Sequence, residues 1–342
     1  MAVQFILSGG KKCPIDISKC ISDRESKTQL SDYSEATNLN IFETETKKGT
    51  RNPSYCDRIL YRFKQMNTDF TIEQTSYKSF TNEIISKSDH DIVYATYQVK
   101  NKDDNKFMDI LFITWNQANL DVKEDIIFKG FDDFNNYDVV IFSQQETQST
   151  DILQSSLKNK YATTHKIFDS SVGAGMLEYV VGAFNVRITV MIKKSFEALL
   201  HTKEYLCFGY VCTKSIVGIG IAIKIDDNKE FSLNAFGCHM PINISKDDLG
   251  YEERVTTYQN METHMQTFSK LGVGKFIAEL DIVGGDMNFR YNSGSIKGDQ
   301  LIEGMKKGEV FSLFKEGEIT FGPTCKMCVC EEPKEEVIID PR

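Results

Sequence analysis

The feature that most constrains the fold of this chain is a succession of short apolar segments, rich in β-branched residues and bounded by polar turns. Such segments are typical of buried β-strands, and stretches with helical spacing lie between some of them. The predicted strands span residues 92–99, 109–114, 138–143, 185–191, 216–224, 231–236 and 276–283, and the predicted helices span 151–158, 251–271 and 298–314. Strands that alternate with helices predict a layered α/β fold.

Composition excludes several other classes of protein. The 342 residues include 40 Lys and Arg against 49 Asp and Glu, and 41% are hydrophobic, as in a globular protein. The net charge of −9 argues against a general nucleic-acid binder, which usually carries a basic surface. Every apolar stretch is shorter than the ~20 residues that span a bilayer. Nine scattered cysteines without a signal sequence lead us to expect a cytoplasmic protein, at most peripheral to membranes.

Polar residues follow one of the predicted strands at positions 283–290. Asp286 and Asn288 are two positions apart, so on an extended segment they face the same side. A carboxylate and a carboxamide directed into one cleft can orient a water molecule and a phosphate oxygen. The alternative interpretation is a turn, because Gly-Gly-Asp is also typical of turns. The sequence leaves both interpretations open.

Polar residues also lie at the ends of four other predicted strands. Glu146 follows one strand and offers the hard oxygen ligands that Mg²⁺ prefers. Asn116 follows the only tryptophan, His239 follows another strand, and Asp89 and His90 precede a further one. Polar residues gathered at the ends of different strands are the usual pattern of an active site in an α/β protein. For each histidine alone, a structural hydrogen bond is the competing interpretation.

Two segments resemble the signatures of the inositol polyphosphate 5-phosphatases. Residues 53–60 read PSYCDRIL, similar to the family's P-x-W-C-D-R-[IV]-L, and residues 284–290 read GGDMNFR, similar to W-x-G-D-x-N-[YF]-R. Shorter matches are TWN at 114–116, SQQE at 143–146, CHM at 238–240, ITFGPTCK at 319–326 and SDH at 88–90. The resemblance implies a single catalytic domain over residues 33–327, with an N-terminal extension (1–32) and a C-terminal tail (328–342). It also implies the four-layer α/β/β/α sandwich of the endonuclease/exonuclease/phosphatase superfamily.

The order of these motifs differs from that of the family. The family begins with TWN and ends with CDRIL and SDH, whereas CDRIL and SDH come first here. Because the cyclic order is kept, the resemblance implies a circular permutation in which residues 99–107 join the former ends. Asp103, Asp104 and Asn105 are suitable residues for such a turn. We expect a monomer; the alternative is a swapped dimer in which residues 1–100 complete a neighbouring molecule.

The resemblance implies an enzyme that hydrolyses the 5-phosphate of phosphoinositides or soluble inositol polyphosphates by direct attack of water. It implies Mg²⁺ as the cofactor, held by Glu146 with help from Asn116. Asp89 would lie beside the metal or the water. Asp286 would orient or deprotonate the attacking water.

The phosphate itself would be bound by further residues of the matched motifs. Asn288 and His239 would donate hydrogen bonds to phosphoryl oxygens in the transition state. Asp57 would hold His90 as a cation near the phosphate. Basic residues near the motifs are candidates for contacts with neighbouring phosphates of the substrate, and these are Lys48, Arg51, Arg58, Arg290 and Lys326.

Some positions depart from the family's pattern, and they concern substrate selectivity. Cys325 stands where the family often has Tyr, and residues 214–218 lack the expected Gly-Asn-Lys-Gly loop. Two other functions therefore stay open: a headgroup-binding protein with weakened catalysis, and another phosphoesterase of the superfamily, such as a nuclease or a sphingomyelinase. The acidic charge and CDRIL disfavour a nuclease, so no nucleic-acid partner is expected.

Two further segments carry weaker indications. A lipid substrate would require transient contact with a membrane surface, and the apolar stretch 173–183 either touches lipid or belongs to the core. Cys325, Cys328 and Cys330 form an incomplete set of zinc ligands, so ordinary free thiols are the favoured interpretation there.

Overall fold

The structure, a computed structural model, describes residues 54–64, 69–103, 107–148, 152–173, 185–208, 212–226, 228–242, 250–268, 277–290 and 298–325. Several sequence predictions fall outside these ranges. They concern Lys48, Arg51, Lys326, Cys328 and Cys330, the predicted extensions 1–32 and 328–342, and nearly all of the apolar stretch 173–183.

The described residues form two six-stranded sheets. Their strands are β1 (Asp57–Phe63), β2 (Phe70–Phe80), β3 (Ile92–Asn101), β4 (Phe107–Asn116), β5 (Val139–Thr147), β6 (His165–Val172), β7 (Asn185–Lys193), β8 (Glu197–Cys207), β9 (Ser215–Asp226), β10 (Lys229–His239), β11 (Leu280–Asp286) and β12 (Lys315–Glu316). The first sheet has the order β12-β1-β11-β10-β9-β8, and the second has the order β2-β3-β4-β5-β7-β6. Strands β4 and β5 run parallel, as do β10 and β11, and the other described neighbours are antiparallel.

Helices cover the outer faces of both sheets. They are α1 (Glu124–Ile127), α2 (Ile152–Tyr161), α3 (Tyr251–Phe268) and α4 (Gln300–Lys307), with short 3₁₀ turns at Ile85–Lys87 and Phe134–Asn136. Apolar residues of α1 and α2 pack on the second sheet, and those of α3 and α4 pack on the first. This arrangement confirms the predicted layered α/β class. Among the described helices, not one combines the length and the apolar character that crossing a bilayer requires.

The main hydrophobic core lies between the two sheets. It takes one face of strands β1 to β11, with fully buried residues such as Ile59, Ile141 and Ile221. Burial of each such side chain contributes about 1.5–3 kcal/mol. The sheets approach closely at Gly284, where a Cβ atom would lie 2.4 Å from the ring of Phe112. The Gly-Gly pair before Asp286 is thus part of the buried strand β11, and its interpretation as a turn is wrong.

The described elements differ from the sequence predictions mainly at their ends and at the sheet edges. Each predicted strand and helix overlaps a described one, but the helix predicted over 298–314 ends at Lys307, because Gly308 adopts the left-handed conformation (φ 75°). The edge strands β2, β6 and β8 were not predicted; buried and exposed residues mix along them, so they lack continuous apolar runs. A disulfide between Cys207 and Cys212, at the end of the β8–β9 hairpin, was not predicted either.

Candidate active site

Strand ends of both sheets meet at one edge of the sandwich. His239 and Asp286 end the parallel strands β10 and β11 and lie opposite each other in register. Asp57 begins the antiparallel strand β1 and lies opposite Asp286 on its other side. Asn116, at the end of β4 in the second sheet, donates a hydrogen bond from Nδ2 to Asp286 Oδ2 (3.0 Å). The predicted residues therefore come together across the two sheets.

Asp57 and His90 form a buried acid–imidazole pair. Nδ1 of His90 lies 2.9 Å from Asp57 Oδ2, and the same carboxylate oxygen accepts a hydrogen bond from Thr324 Oγ1 (2.8 Å). Burial opposes protonation of the imidazole, but the Asp57 carboxylate raises the pKa of His90 well above its ordinary value. The contact with Asp57 therefore favours the protonated form of the His90 ring. Its Nε2 lies 4.0 Å from Asp286 Oδ2 and 3.9 Å from Asp89 Oδ1.

Asp286 is the buried anion at the centre of the cluster. Its Oδ1 accepts a hydrogen bond from the backbone N–H of Asn288 (3.1 Å), and its Oδ2 lies 3.3 Å from His239 Nε2. Burial opposes ionisation, but the hydrogen bond with His239 and the charges of His90 and Lys214 hold the pKa of Asp286 well below its ordinary range. Asp286 therefore remains ionised in spite of its burial.

Asn288 is oriented by two contacts within the protein. Its Nδ2 donates to the backbone oxygen of Met240 (2.9 Å), and its Oδ1 accepts from Nη2 of Arg290 (2.9 Å). One N–H of the carboxamide remains to bind a ligand. The backbone of Asn288 is left-handed (φ 54°), as is that of Glu146 (φ 53°). Left-handed residues other than glycine concentrate at functional sites.

The oxygen ligands of the site fit a magnesium ion in their chemistry. The side chains of Glu146 (24% exposed) and Asp89 (18% exposed) retain access to solvent, and Glu146 Oε1 lies 3.9 Å from His239 Nε2. Within the described ranges, no three Asp, Glu, His or Cys side chains are close enough to form a metal cluster on their own. Mg²⁺ commonly takes only one or two carboxylates, with water and substrate phosphate as its other ligands. Glu146 and Asn116 would hold such an ion, and Asp89, near His90, would lie beside the metal or the water.

Lys214 is a residue of the site that sequence analysis missed. It lies in the loop between β8 and β9, next to the Cys207–Cys212 disulfide, and its Nζ contacts Nε2 of His239. The following residue, Ser215, pairs with His239 in register, and this pairing brings the loop to the site. The only signal in the sequence was a lysine two positions before a predicted strand. Burial and the Lys214 ammonium together lower the pKa of His239, so this imidazole is neutral at neutral pH.

Arg290 lies at the site as predicted, whereas Arg58 does not. The guanidinium of Arg290 reaches Asn288 and also Sγ of Cys325 (3.1 Å). Arg58 follows Asp57 in β1, so its side chain points to the opposite face of the strand. There it is fully buried and forms ion pairs with Asp299 and Glu316. The prediction that Arg58 contacts substrate is wrong, because its donors are already engaged in this network.

Replacement of Lys214 by Met is expected to raise the pKa of His239. The variant removes a neighbouring positive charge that opposes protonation of the imidazole. The pKa can be measured by NMR titration of the histidine Cε1–H signals in the metal-free protein. Lys203→Met is the matched control, because Lys203 belongs to the same hairpin but donates to the backbone oxygen of Asp169. An unchanged pKa of His239 in Lys214→Met would contradict the contact.

The sequence profile of one known protein family covers most of the chain. The sequence profile described as Endonuclease/Exonuclease/phosphatase family 2 matches residues 29–96 and 100–332. No curated protein sequence matches the chain.

The similar solved structures are distant. The human nocturnin catalytic domain with bound sulfate anion has a TM-score of 0.33 and 10% identity, over 51% of this chain and 57% of that one. D. rerio TDP2 complexed with single strand DNA product has a TM-score of 0.27 and 17% identity, over 46% of this chain and 50% of that one. The chain thus spans about half the length of these two structures. Because the family profile covers most of the sequence, the chain belongs to endonuclease/exonuclease/phosphatase family 2.

Proposed function

We propose that this chain is a Mg²⁺-dependent phosphatase that removes the 5-phosphate from phosphoinositides or soluble inositol polyphosphates. Membership of the family supports a phosphoesterase. The observation that carries the proposal is the convergence of two distant motif segments. Asp57 and His90 belong to the first segment. They lie beside Asn116, His239 and Asp286 of the second segment, and the contacts within this cluster are 2.9–4.0 Å long.

Each residue of the cluster then has a chemical role. Ionised Asp286, fixed by Asn116 and by the backbone of Asn288, orients the attacking water and accepts its proton. Mg²⁺ held by Glu146 and Asn116 would supply positive charge to the phosphoryl oxygens. His90 keeps its proton through Asp57 and adds a fixed positive charge where negative charge develops.

A substrate with several phosphates suits the cations of this site. Lys214 and Arg290 are two basic side chains that contact the residues around Asp286. The Nη atoms of Arg290 already donate to Cys325 and Asn288, so Arg290 would attract phosphate by its charge at longer range, whereas Lys214 would act as a point charge beside the phosphate. An inositol ring with adjacent phosphates offers a separate anion to each of them. A phosphoinositide would reach the site by transient contact with a membrane surface.

The altered order of the motifs is part of the proposal. A circular permutation requires that residues 99–107 join two strands that are neighbours in one sheet. Strands β3 and β4 are antiparallel neighbours, with Val99 opposite Met108 and Lys100 opposite Phe107. The family match is also divided between residues 96 and 100. Both observations accord with a junction at this hairpin.

Phosphate release from a panel of inositol polyphosphates and from vesicles containing phosphatidylinositol 4,5-bisphosphate tests the proposal. Release is expected with Mg²⁺, and chromatography of the product should show loss of the 5-phosphate. Chelation with EDTA is expected to reduce release to background, and added Mg²⁺ to restore it. Tight binding without turnover would favour the headgroup-binding alternative, and cleavage of single-stranded DNA would favour a nuclease; either result would contradict the proposal.

A further inference from the structure

Two buried thiols lie in contact beside the active site. Sγ of Cys56 and Sγ of Cys325 are 2.9 Å apart, and both residues are fully buried. A disulfide bond has an S–S length of about 2.05 Å, so the two sulfur atoms are within about 1 Å of bonding distance. The backbone already holds the two segments together, because Cys325 pairs with Ser54 through hydrogen bonds in both directions. A small rotation of the side chains would therefore bring the sulfur atoms together.

Arg290 distinguishes the two thiols chemically. Its Nη1 donates a hydrogen bond to Sγ of Cys325 (3.1 Å), and a guanidinium next to sulfur favours the nucleophilic thiolate. Cys56 instead directs its S–H toward the backbone oxygen of Phe289 (3.7 Å). Burial and the contact with Cys325 raise the pKa of Cys56, so this thiol keeps its proton. The direct contact with Arg290 favours Cys325 as the attacking sulfur and leaves Cys56 as the resolving thiol.

The pair also lies on the backbone segments that carry the acid–imidazole pair. Cys56 immediately precedes Asp57, and Cys325 forms a β-bridge with His90. A bond between the sulfur atoms would link these two segments and withdraw the Cys325 sulfur from the guanidinium of Arg290. Oxidation of the thiols would therefore alter the surroundings of the site directly.

We propose that Cys56 and Cys325 are a site of reversible oxidation that closes to a disulfide with a hydroperoxide. The Cys325 thiolate attacks one oxygen of hydrogen peroxide; an S–O bond forms, the O–O bond breaks, and the leaving hydroxide takes up a proton to give water. The sulfur of Cys56 then attacks the sulfenic acid of Cys325; the S–S bond forms, the S–O bond breaks, and a second water leaves with the Cys56 proton. Two thiols and one peroxide thus give one disulfide and two waters.

Hydrogen peroxide is the probe for this proposal, because it is little larger than water and both thiols are buried. The folded, full-length protein is treated with peroxide, alkylated and digested without reductant, and its disulfide-linked peptides are identified by mass spectrometry. We expect a Cys56–Cys325 linked pair that loses two hydrogens on formation and disappears on reduction with dithiothreitol. Cys56→Ser and Cys325→Ser should each abolish the linked pair, whereas Cys238→Ala, at another buried thiol, should retain it.

The Arg290 contact gives a second measurement. Arg290→Met is expected to slow formation of the linked pair about tenfold, whereas Arg290→Lys, which keeps a positive charge, should slow it less. Circular dichroism checks that both variants fold. The proposal would be overturned if the protein unfolded in urea gave the same yield of the linked pair as the folded protein. It would also be overturned if peroxide converted both thiols into other products and formed no linked pair. An unchanged rate in Arg290→Met would overturn the role of the guanidinium. None of these measurements depends on phosphatase activity, so the proposed function and the thiol pair can fail separately.

Discussion

Replacement of Asp286 by Asn should lower the rate of phosphate release at least 100-fold. The substitution keeps the size of the side chain but removes the negative charge that, under the proposed function, orients the water and accepts its proton. Loss of a general base costs about 10²–10⁴-fold in rate. The carboxylate is held in place by contacts with Asn116, Asn288 and His239. The measurement is kcat for the substrate that releases phosphate most rapidly in the wild-type protein.

A control separates loss of chemistry from loss of folding. Asp103→Asn removes a carboxylate whose side chain is 71% exposed and which pairs with Lys229 away from the site. This variant is expected to retain kcat within about twofold, since exposed ion pairs contribute little. Thermal unfolding of both variants should remain cooperative. A folded Asp286→Asn protein with wild-type turnover would eliminate Asp286 as the general base.

Replacement of Arg58 by Met should lower the free energy of unfolding by about 3–5 kcal/mol. The guanidinium donates from Nη1 to both carboxylate oxygens of Asp299 (3.0 Å each) and from Nε to Glu316 (2.5 Å). Removal of one partner from a buried ion pair leaves an uncompensated charge, and such a loss typically costs this much. The Asp299 side chain is fully buried and also caps α4 by accepting from the Ile302 N–H. Urea unfolding followed by tryptophan fluorescence measures the effect.

The matched control for this variant is Lys158→Met at the surface. Lys158 pairs with Asp169, but both side chains are more than one third exposed, so the expected loss is below about 1 kcal/mol. The same two variants also show whether Arg58 stabilises the buried ion-pair network or contacts the substrate. A large loss of stability with an unchanged KM supports the buried network. A raised KM with unchanged stability would restore the contact with substrate that the sequence suggested.

Much of the site could be predicted from the sequence, because parallel strands bring their carboxyl ends to one edge. This rule applies to Asn116, His239 and Asp286, each of which ends an apolar strand. The pairing of Asp57 with His90 came from the resemblance, since nothing in their spacing of 33 residues indicates a contact. The error at Arg58 was avoidable, because adjacent residues of a strand point to opposite faces.

Other features depend on tertiary context that the sequence does not display. Lys214 reaches His239 through the register between β9 and β10 and through a loop closed by a disulfide. The edge strands β2 and β8 mix polar and apolar residues without regular alternation, so they resemble exposed loops until a neighbour supplies their hydrogen bonds. The early end of α4 depends on the left-handed backbone of a single residue, Gly308.

Under the proposed function, the distance between the two sheets would affect catalysis. Asn116 belongs to one sheet and Asp286 to the other, so their hydrogen bond spans the interior of the molecule. The gap is set by how closely Gly284 meets the ring of Phe112 and by the hydrogen bond from Ser143 Oγ to the backbone oxygen of Gly284. A methyl group added at Gly284 would push the two sheets apart. It would move the Asp286 carboxylate away from Asn116 without altering any polar side chain. Under the proposed function, interior packing would therefore affect the reaction rate as well as stability.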